Sequence, residues 1–268
     1  MATVRNLHGK WALVTGASSG IGLEFCRFLS EMGCNLVMVS NQPKELSETA
    51  NYLRDTYRVK ILYENLDLTS FDATEKVLAL LEKNSVIPKL LINNAGIFDF
   101  KAVKHLSERR LNLYIDLHIR AVTLLTREIG ALMSKNGGGY ILNMSSMSCW
   151  MPMPGIAMYS ATKAYIRAFT RAYRIEMKNR GVSVSVACPG GIATGLFGLP
   201  ENLQRLGVKI GVLSTPQKFV RNALKKTMRG KAQYINGFLN RLSIVFVASL
   251  PEWVRMKIKN DLLDKFDK

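Results

Sequence analysis

The sequence predicts an α/β protein in which one parallel sheet is doubly wound, with helices on both faces. Strand-like and helix-like segments alternate along most of the chain, as parallel strands joined by crossover helices require. The strand-like segments are nearly continuous apolar runs such as NLVMVS at 35–40, typical of strands covered on both faces. The 268 residues are 48% hydrophobic and contain no Pro/Gly/Ser-rich linker. We therefore predict a single domain over 1–268, with a core at about 10–236.

Each element follows from its local pattern. Apolar runs bounded by glycine or polar residues predict strands at 11–15, 35–40, 59–66, 89–96, 140–146, 182–189 and 233–237. Apolar residues at helical spacing predict helices at 20–32, 43–57, 71–83, 107–135, 157–180, 216–229 and 251–266. Apolar and glycine residues without a clear period predict a lid or substrate loop at about 195–215. Residues 237–268 mix apolar and basic residues, which predicts a basic amphipathic helical extension at the C-terminus.

The charge of the chain is high and uneven. The net charge is +17, with 18 Lys and Arg against 14 Asp and Glu through residue 164, and 19 against 6 thereafter. A basic half favours anionic membranes, nucleic acids or acidic ligands, but a merely solvated basic surface is equally consistent with the count. No helix-turn-helix pattern or aromatic stacking platform is present, so we expect no nucleic acid partner.

The sequence predicts a cytoplasmic protein. Its start lacks the apolar run of a signal peptide, and the apolar run at 242–250 is shorter than the ~20 residues that span a bilayer. The cysteines at 26, 34, 149 and 188 show no CxxC spacing, so we expect reduced thiols and no metal site.

A glycine-rich turn follows the first predicted strand and precedes the first predicted helix. The segment TGASSGIG at 15–22 places Gly16, Gly20 and Gly22 where a backbone can approach a pyrophosphate at a helix N-terminus. Ser18, Ser19 and Ile21 lie in the same loop and are predicted to contact the cofactor. A merely structural tight turn is the alternative.

The end of the second strand bears on the choice of dinucleotide. An acid there commonly holds the ribose hydroxyls of NAD, whereas SNQPK at 40–44 has the neutral Asn41 and, nearby, Lys44. Without a carboxylate to repel a 2′-phosphate, NADP(H) is favoured and NAD(H) is not excluded. Lys44 is equally well explained as a solvated residue at a helix start.

Three further side chains suggest redox chemistry. Tyr159 and Lys163 are four residues apart and share a helix face, and Ser146 lies at the carboxyl end of a predicted strand. Ligands of open parallel sheets bind at that edge. Reduction of a ketone leaves an alkoxide that needs a proton, and a nearby ammonium is expected to lower the pKa of the tyrosine that supplies it. Ser146 would orient the carbonyl oxygen.

These motifs together resemble the short-chain dehydrogenase/reductase family of the classical type. TGASSGIG, NNAG at 93–96, Ser146, YSATK at 159–163 and PGGIAT at 189–194 follow that family's order. The resemblance implies a Rossmann-like fold with a seven-stranded sheet, NAD(P)(H), and interconversion of an alcohol and a ketone. It further implies cofactor contacts or support from Asp67, Leu68, Asn93, Asn94, Ala95, Gly96, Pro189, Gly190, Ile192 and Thr194. The alternatives are a helix cap for Asp67 and a purely structural role for Asn93.

One position departs from the family pattern. His118 lies in the stretch Asp116-Leu117-His118-Ile119, where many family members have an asparagine that holds a water in a proton relay. A histidine binds water and titrates near neutral pH, so we predict a catalytic relay role for His118. The alternative is a core histidine bonded to the backbone.

The substrate prediction is an apolar ketone, such as a keto-lipid (a 3-keto long-chain base or an acyl chain) or a steroid ketone. The methionine-rich segment at 147–158 contains Trp150, and the predicted lid adds Leu196, Phe197, Leu199 and Leu203; core packing is the alternative. The resemblance implies a homodimer or homotetramer joined through the helices at 107–135 and 157–180. The tail suggests peripheral contact with the inner face of an anionic membrane; packing of the tail over the substrate cleft or at a subunit contact is the alternative. A cofactor-binding scaffold with little turnover remains the second function class.

Overall fold

The computed structural model describes residues 7–193 and 213–263, together with residues 202, 205, 207 and 208. Within this part of the chain one sheet has seven strands, all parallel, in the order β3-β2-β1-β4-β5-β6-β7. The strands are β1 (Trp11–Thr15), β2 (Asn35–Ser40), β3 (Ile61–Asn65), β4 (Pro88–Asn93), β5 (Gly139–Met144), β6 (Val182–Ala187) and β7 (Gln233–Tyr234). The strand order reverses between β1 and β4, which opens a crevice above their carboxyl ends.

Helices connect the strands and continue beyond the last one. They are α1 (Gly20–Glu31), α2 (Pro43–Tyr57), α3 (Ala73–Lys83), α4 (Glu108–Ile115), α5 (Val122–Lys135), α6 (Ala157–Glu176), α7 (Pro216–Met228), α8 (Phe238–Ala248) and α9 (Glu252–Ile258). A π-helical segment, Asp116–Ala121, joins α4 to α5, and another, Lys259–Leu263, follows α9. Short 3-10 turns lie at Val103–His105, Met147–Trp150 and Lys178–Arg180.

The sheet separates two hydrophobic clusters, because successive side chains of a strand point to opposite faces. Val14 and Met38 pack on one face with α1, α2 and α7, whereas Leu13 and Val37 pack on the other with α3 and α5. All four side chains are fully buried. The predicted α/β class with helices on both faces is therefore confirmed.

Several predicted boundaries are wrong. The predicted strand at 140–146 ends at Met144, so Ser146 lies in the loop beyond it. The predicted helix at 107–135 begins at Glu108 and is interrupted by the π-helical segment. The predicted strand at 233–237 is only two residues long, because β7 pairs with β6 at Gln233 and Tyr234 alone.

The C-terminal extension contains two short helices. The helix predicted at 251–266 is found over its described part, where α9 ends at Ile258 and continues directly as the π-helical segment to Leu263. α8 contains the apolar run and is 11 residues long. Among the described helices none has the length and apolar character needed to cross a bilayer.

Candidate active site

The glycine-rich turn lies between β1 and α1 and depends on the absence of side chains. A Cβ at Gly22 would lie 1.9 Å from the carbonyl oxygen of Gly16, so only glycine fits there. Gly20 has a φ of +55° and opens α1, and a Cβ built on it would meet nothing within 4 Å. The backbone thus turns tightly and leaves space in front of the helix N-terminus, where N–H groups and the helix dipole favour a phosphate.

Thr15 and Asn94 tie this turn to the end of β4. The Thr15 hydroxyl oxygen accepts hydrogen bonds from the backbone N–H groups of Asn94 (3.0 Å) and Ala95 (3.1 Å). The Asn94 side chain donates in return to the carbonyl oxygens of Thr15 (3.1 Å) and Gly16 (3.3 Å). The two strands at the topological switch are therefore cross-linked by side chains at the rim of the crevice.

The crevice is a cleft of about 570 Å³ above the carboxyl ends of the central strands. The predicted site residues that line it are Gly16, Ser18, Ser19, Gly20, Ile21, Asn41, Asp67, Leu68, Asn94, Ala95, Gly96, Tyr159, Lys163 and Pro189. The cleft runs from polar groups after β2 and β3, past the glycine turn, to Tyr159 and Lys163. A dinucleotide fits this arrangement, because its adenosine, pyrophosphate and nicotinamide parts meet suitable groups in that order.

The adenosine end is neutral around β2. The Ser18 hydroxyl donates to Oε1 of Gln42 (2.5 Å) and is 2.8 Å from the Ser40 hydroxyl. Lys44 is exposed on α2 and is not among the cleft-lining residues. Asp67 lines the cleft, and its Oδ1 also accepts from the N–H (2.9 Å) and the hydroxyl (2.8 Å) of Thr69. Asp67 therefore stabilises the turn after β3, and the alternative of a helix cap is wrong, because α3 begins at Ala73 with Asp72 at its N-cap position.

Ser146 lies two residues beyond β5 and begins the 3-10 turn at Met147–Trp150. Its Oγ accepts a hydrogen bond from the N–H of Ser148 (3.2 Å), so the hydroxyl proton remains able to donate. Ser146 is buried, and its side chain is near enough to the Tyr159 phenol to lower the pKa of that phenol. The turn therefore brings the serine hydroxyl to the tyrosine.

Tyr159 and Lys163 share the inner face of the first turns of α6. The Lys163 ammonium donates to the carbonyl oxygen of Met144 (3.1 Å) and lies 5.6 Å from the centre of the Tyr159 ring. Burial lowers the pKa of Lys163 to about 8. Burial also raises the pKa of Tyr159 to about 12, although the hydrogen bond to Ser146 opposes that rise. The direction of the Tyr159 pKa is therefore opposite to the expected lowering, because burial of the phenol is the largest cause of the shift and Lys163 is not among its causes.

His118 lies in the π-helical segment and is completely buried. Its Nε2 is 3.1 Å from the backbone nitrogen of Ile97, and its Nδ1 is 2.9 Å from the hydroxyl of Thr162. Burial, followed by the charges of Lys163 and Arg110, holds its pKa well below the ordinary value.

Asn93 and the segment after β6 support the site from behind. The Asn93 amide donates to Oγ1 of Thr126 (3.0 Å) and to Oδ1 of Asn143 (2.8 Å), joining β4, β5 and α5. Gly190 donates its N–H to Oδ1 of Asn236 (2.7 Å). Ile192 forms a parallel β-bridge with Ser214. The N–H of Ala193 donates to the carbonyl oxygen of Ser214, and the N–H of Ser214 donates to that of Gly191. Thr194 and the predicted lid residues Leu196, Phe197, Leu199 and Leu203 lie outside the described residues.

Sequence reasoning missed several residues that shape the site. Gln42 lines its adenosine end, Ser145 anchors the Lys163 carbonyl through a 2.7 Å hydrogen bond, and Phe98 contacts the Tyr159 ring edge-on at 5.0 Å. Gln42 and Ser145 adjoin residues that the motifs had identified, so proximity in sequence could have indicated them. Phe98 gives no comparable signal.

Comparisons with known proteins show the family of the chain. Residues 10–201 match the short chain dehydrogenase family. Over 256 residues the chain is 29% identical to the bovine very-long-chain 3-oxoacyl-CoA reductase, covering 93% of this chain and 78% of that protein. It is 28% identical over 255 residues to the human inactive hydroxysteroid dehydrogenase-like protein 1, covering 92% and 74% respectively.

Solved structures share the whole fold. A 7β-hydroxysteroid dehydrogenase superposes with a TM-score of 0.83 at 25% identity, covering 96% of this chain and 99% of that one. Other similar structures contain NADPH or NADH. The chain belongs to the short-chain dehydrogenase/reductase family of nicotinamide-dependent oxidoreductases.

Proposed function

We propose that the protein is an NADP(H)-dependent reductase that converts an apolar ketone to a secondary alcohol. The observation that carries this proposal is that Tyr159 and Lys163 line one end of a cleft that fits a dinucleotide, with Ser146 beside the Tyr159 phenol. The substrate class is a ketone on an acyl chain or a steroid.

The protein groups supply binding and a proton. When bound, the reduced nicotinamide supplies a hydride to the carbonyl carbon. Ser146 donates a hydrogen bond to the carbonyl oxygen, where negative charge develops. Tyr159 then gives its phenolic proton to that oxygen, and Lys163 stabilises the phenolate that remains. Met144 takes one of the three ammonium donors of Lys163, and the others are available to the nicotinamide ribose.

The preference for NADP(H) follows from charge at the adenosine end. The groups that follow β2 at the cleft, Ser40, Asn41 and Gln42, are neutral, so a 2′-phosphate meets no carboxylate there. Gln42 and Ser18 also offer hydrogen-bonding groups at that point.

Apolar side chains beside the tyrosine support an apolar substrate. Phe98 packs against the Tyr159 ring, and Ile97 and Leu113 line the same cleft. Trp150 follows Ser146 in the 3-10 turn and stacks with the Arg167 guanidinium at 4.4 Å from the ring centre. The similarity to a very-long-chain 3-oxoacyl-CoA reductase makes a keto-acyl chain the first substrate class to test.

The test is oxidation of NADPH and NADH by the purified protein with keto-acyl thioesters of increasing length, steroid ketones and small diketones. The proposal is supported if the protein turns over a long-chain or steroid ketone and the Tyr159→Phe variant does not. If Lys44→Ala leaves the affinity for the cofactor unchanged, Lys44 has no role in binding it. Tight cofactor binding without turnover of any ketone would instead favour a scaffold.

The scaffold remains the second candidate because of one comparison. A relative of similar identity is named as inactive. In this chain, however, Ser146, Tyr159 and Lys163 are all present and close together, which favours turnover.

We also propose that α8 and α9 contact an anionic membrane. Large apolar side chains on these helices are 49–78% exposed, namely Phe238, Leu239, Leu242, Val245, Phe246, Trp253 and Met256. Arg241 and Lys257 are exposed on the same two helices, so the surface combines apolar anchors with positive charge. α8 also contacts the 3-10 turn that follows Ser146, which would bring the membrane surface close to the substrate side of the cleft.

Vesicle sedimentation tests this contact. Phe246→Glu should reduce binding to vesicles of phosphatidylcholine and phosphatidylserine, because it places charge in the apolar surface. Phe71→Glu is the matched control, since Phe71 is 87% exposed between β3 and α3. Equal binding by both variants and the unaltered protein would contradict the proposal.

A further inference from the structure

His118 lies between three segments that form the site. It belongs to the π-helical segment, and its ring centre is 5.4 Å from that of Tyr114 and 6.1 Å from that of Tyr159. A Cβ built on Gly96 would lie 3.1 Å from Nε2 of His118 and 3.4 Å from Nζ of Lys163. The imidazole and the ammonium therefore flank the same glycine of the loop after β4.

Hydrogen bonds determine which ring nitrogen carries the proton. The backbone N–H of Ile97 donates to Nε2, so Nε2 must be an unprotonated acceptor. The proton of the neutral ring is then on Nδ1, which donates to the Thr162 hydroxyl at 2.9 Å. The Thr162 hydroxyl donates onward to the carbonyl oxygen of Tyr159 (3.0 Å). A continuous chain thus runs from the backbone of the loop, through the imidazole, to the backbone of the catalytic tyrosine.

We propose that His118 is a positioning residue, a neutral Nδ1–H imidazole that joins the loop after β4 to α6. By fixing this distance it holds Tyr159 and Lys163 in place relative to Gly96 and the cleft. The identity of the groups that it positions rests on the proposed function, whereas the tautomer and the connection do not.

This role differs from the water-holding relay expected from the sequence. A relay through the ring requires a nitrogen that faces water, and both ring nitrogens are bonded to protein groups. If Nε2 were protonated, its N–H would also face the backbone N–H of Ile97, and two donors would then meet without an acceptor. The surrounding charges oppose a cation as well: Lys163 on α6 and Arg110 on α4 both lower the pKa of His118.

The other titratable groups near the ring do not change this conclusion. Asp99 is engaged by Arg110 through two hydrogen bonds of 2.7 and 3.2 Å. Burial raises the pKa of Tyr114 on α4 and of Tyr159 on α6, so both phenols remain neutral. No carboxylate among the described residues is hydrogen-bonded to the imidazole to stabilise a positive charge.

Nuclear magnetic resonance of the full chain with ¹⁵N-labelled histidine tests the tautomer. The chain has three histidines, and comparison with His118→Asn assigns the signal. We expect a neutral Nδ1–H ring whose signals stay constant between about pH 6 and pH 9. An Nε2–H ring, or a ring that becomes protonated within this range, would overturn the proposal. This measurement does not depend on activity, so it remains decisive if the proposed function fails.

Kinetics test the positioning. Thr162→Val removes the partner of Nδ1, and we expect kcat to fall roughly tenfold, with KM for NADPH and the pH profile little changed. Thr123→Val is the matched control, because the Thr123 hydroxyl bonds to that of Tyr165 (2.8 Å) between α5 and α6 without touching His118. Wild-type kcat in Thr162→Val, or a displaced pH profile in His118→Asn, would favour a relay instead. Circular dichroism confirms that each variant is folded.

Discussion

The charged side chain of Lys163 is buried, where water solvates it poorly. Its residue is 5% exposed, and burial lowers the pKa from 10.5 to about 8, a change that corresponds to about 3 kcal/mol at neutral pH. We therefore expect Lys163→Met to abolish turnover and yet raise the free energy of unfolding by about 1–3 kcal/mol near pH 7. Urea unfolding measures this.

The pH dependence checks the cause. Below about pH 8 the lysine is charged in both the folded and unfolded states, so the penalty of burial is fully present. Above the ordinary pKa of 10.5 it is neutral in both, so the advantage of the methionine variant should vanish. If Lys163→Met raised the free energy of unfolding equally at about pH 7 and about pH 10.5, burial of the charge would not be the cause.

The same lysine should set the alkaline limit of ketone reduction. As pH rises through about 8, Lys163 loses the charge that stabilises the Tyr159 phenolate, and the rate should fall. Tyr159, with a pKa of about 12, remains protonated over this range. A profile of kcat against pH measures the limb. Ser146→Ala should lower kcat without changing the pH at which kcat begins to fall. A kcat that does not change up to about pH 10 would contradict this role of Lys163.

At the residue scale, the sequence identified side chains that belong to compact motifs. Ser146, Tyr159 and Lys163 were found from spacing, and the structure places them together. Thr15 was missed because its partners, Asn94 and Ala95, are 79 and 80 residues away. The direction of the Tyr159 pKa shift was also missed, because it depends on burial that no local pattern reports.

At the scale of the elements, α8 packs directly against the segment that follows β6. A Cβ at Gly190 would lie 2.3 Å from the Asn240 side chain, which itself donates to the carbonyl oxygen of Asn236 (2.9 Å). We expect Gly190→Ala to destabilise the protein by about 1–3 kcal/mol through overpacking. Asn240→Ala should restore most of this loss in the double variant. Denaturant unfolding of the unaltered protein, the two single variants and the double variant measures the coupling. If the two changes in the free energy of unfolding simply add, the two residues do not interact.

Element boundaries were predictable where periodicity and turn residues agree, as for β1, β2 and α2, which match prediction at both ends. The π-helical segment at Asp116–Ala121 was not predictable, because the sequence pattern does not distinguish it from the α-helices on either side. α8 was recognised only as part of an extension, since its largest apolar side chains face outward.

For the whole molecule, we predict a dimer or tetramer joined through α5 and α6. The exposed side of α6 includes the small residues Ala161, Ala168 and Ala172 and the 74% exposed Ile175, which allow a second helix to approach closely. Ala168→Glu should dissociate the oligomer, because it places a charge in that contact. Sedimentation equilibrium measures the mass, and a monomer in the unaltered protein would contradict the prediction.

The overall class was predictable because it depends on patterns repeated along the whole chain. Apolar strands such as 35–40 alternate with amphipathic helices, and each repeat supports the same parallel sheet. The position of α8 against the end of β6 was not predictable, because it depends on a contact between Gly190 and Asn240 that the sequence does not signal.

The two hydrophobic clusters imply that parts of the site open at different rates. Strands β1, β2, β4, β5 and β6 contribute buried side chains to both clusters, so their amide protons should exchange with solvent slowest, through global unfolding alone. α8 has one buried large side chain, Ile244, among many exposed ones, and its amides should exchange through local opening. The dinucleotide would therefore rest on the most persistent part of the protein, while the substrate would enter and leave beside the least persistent.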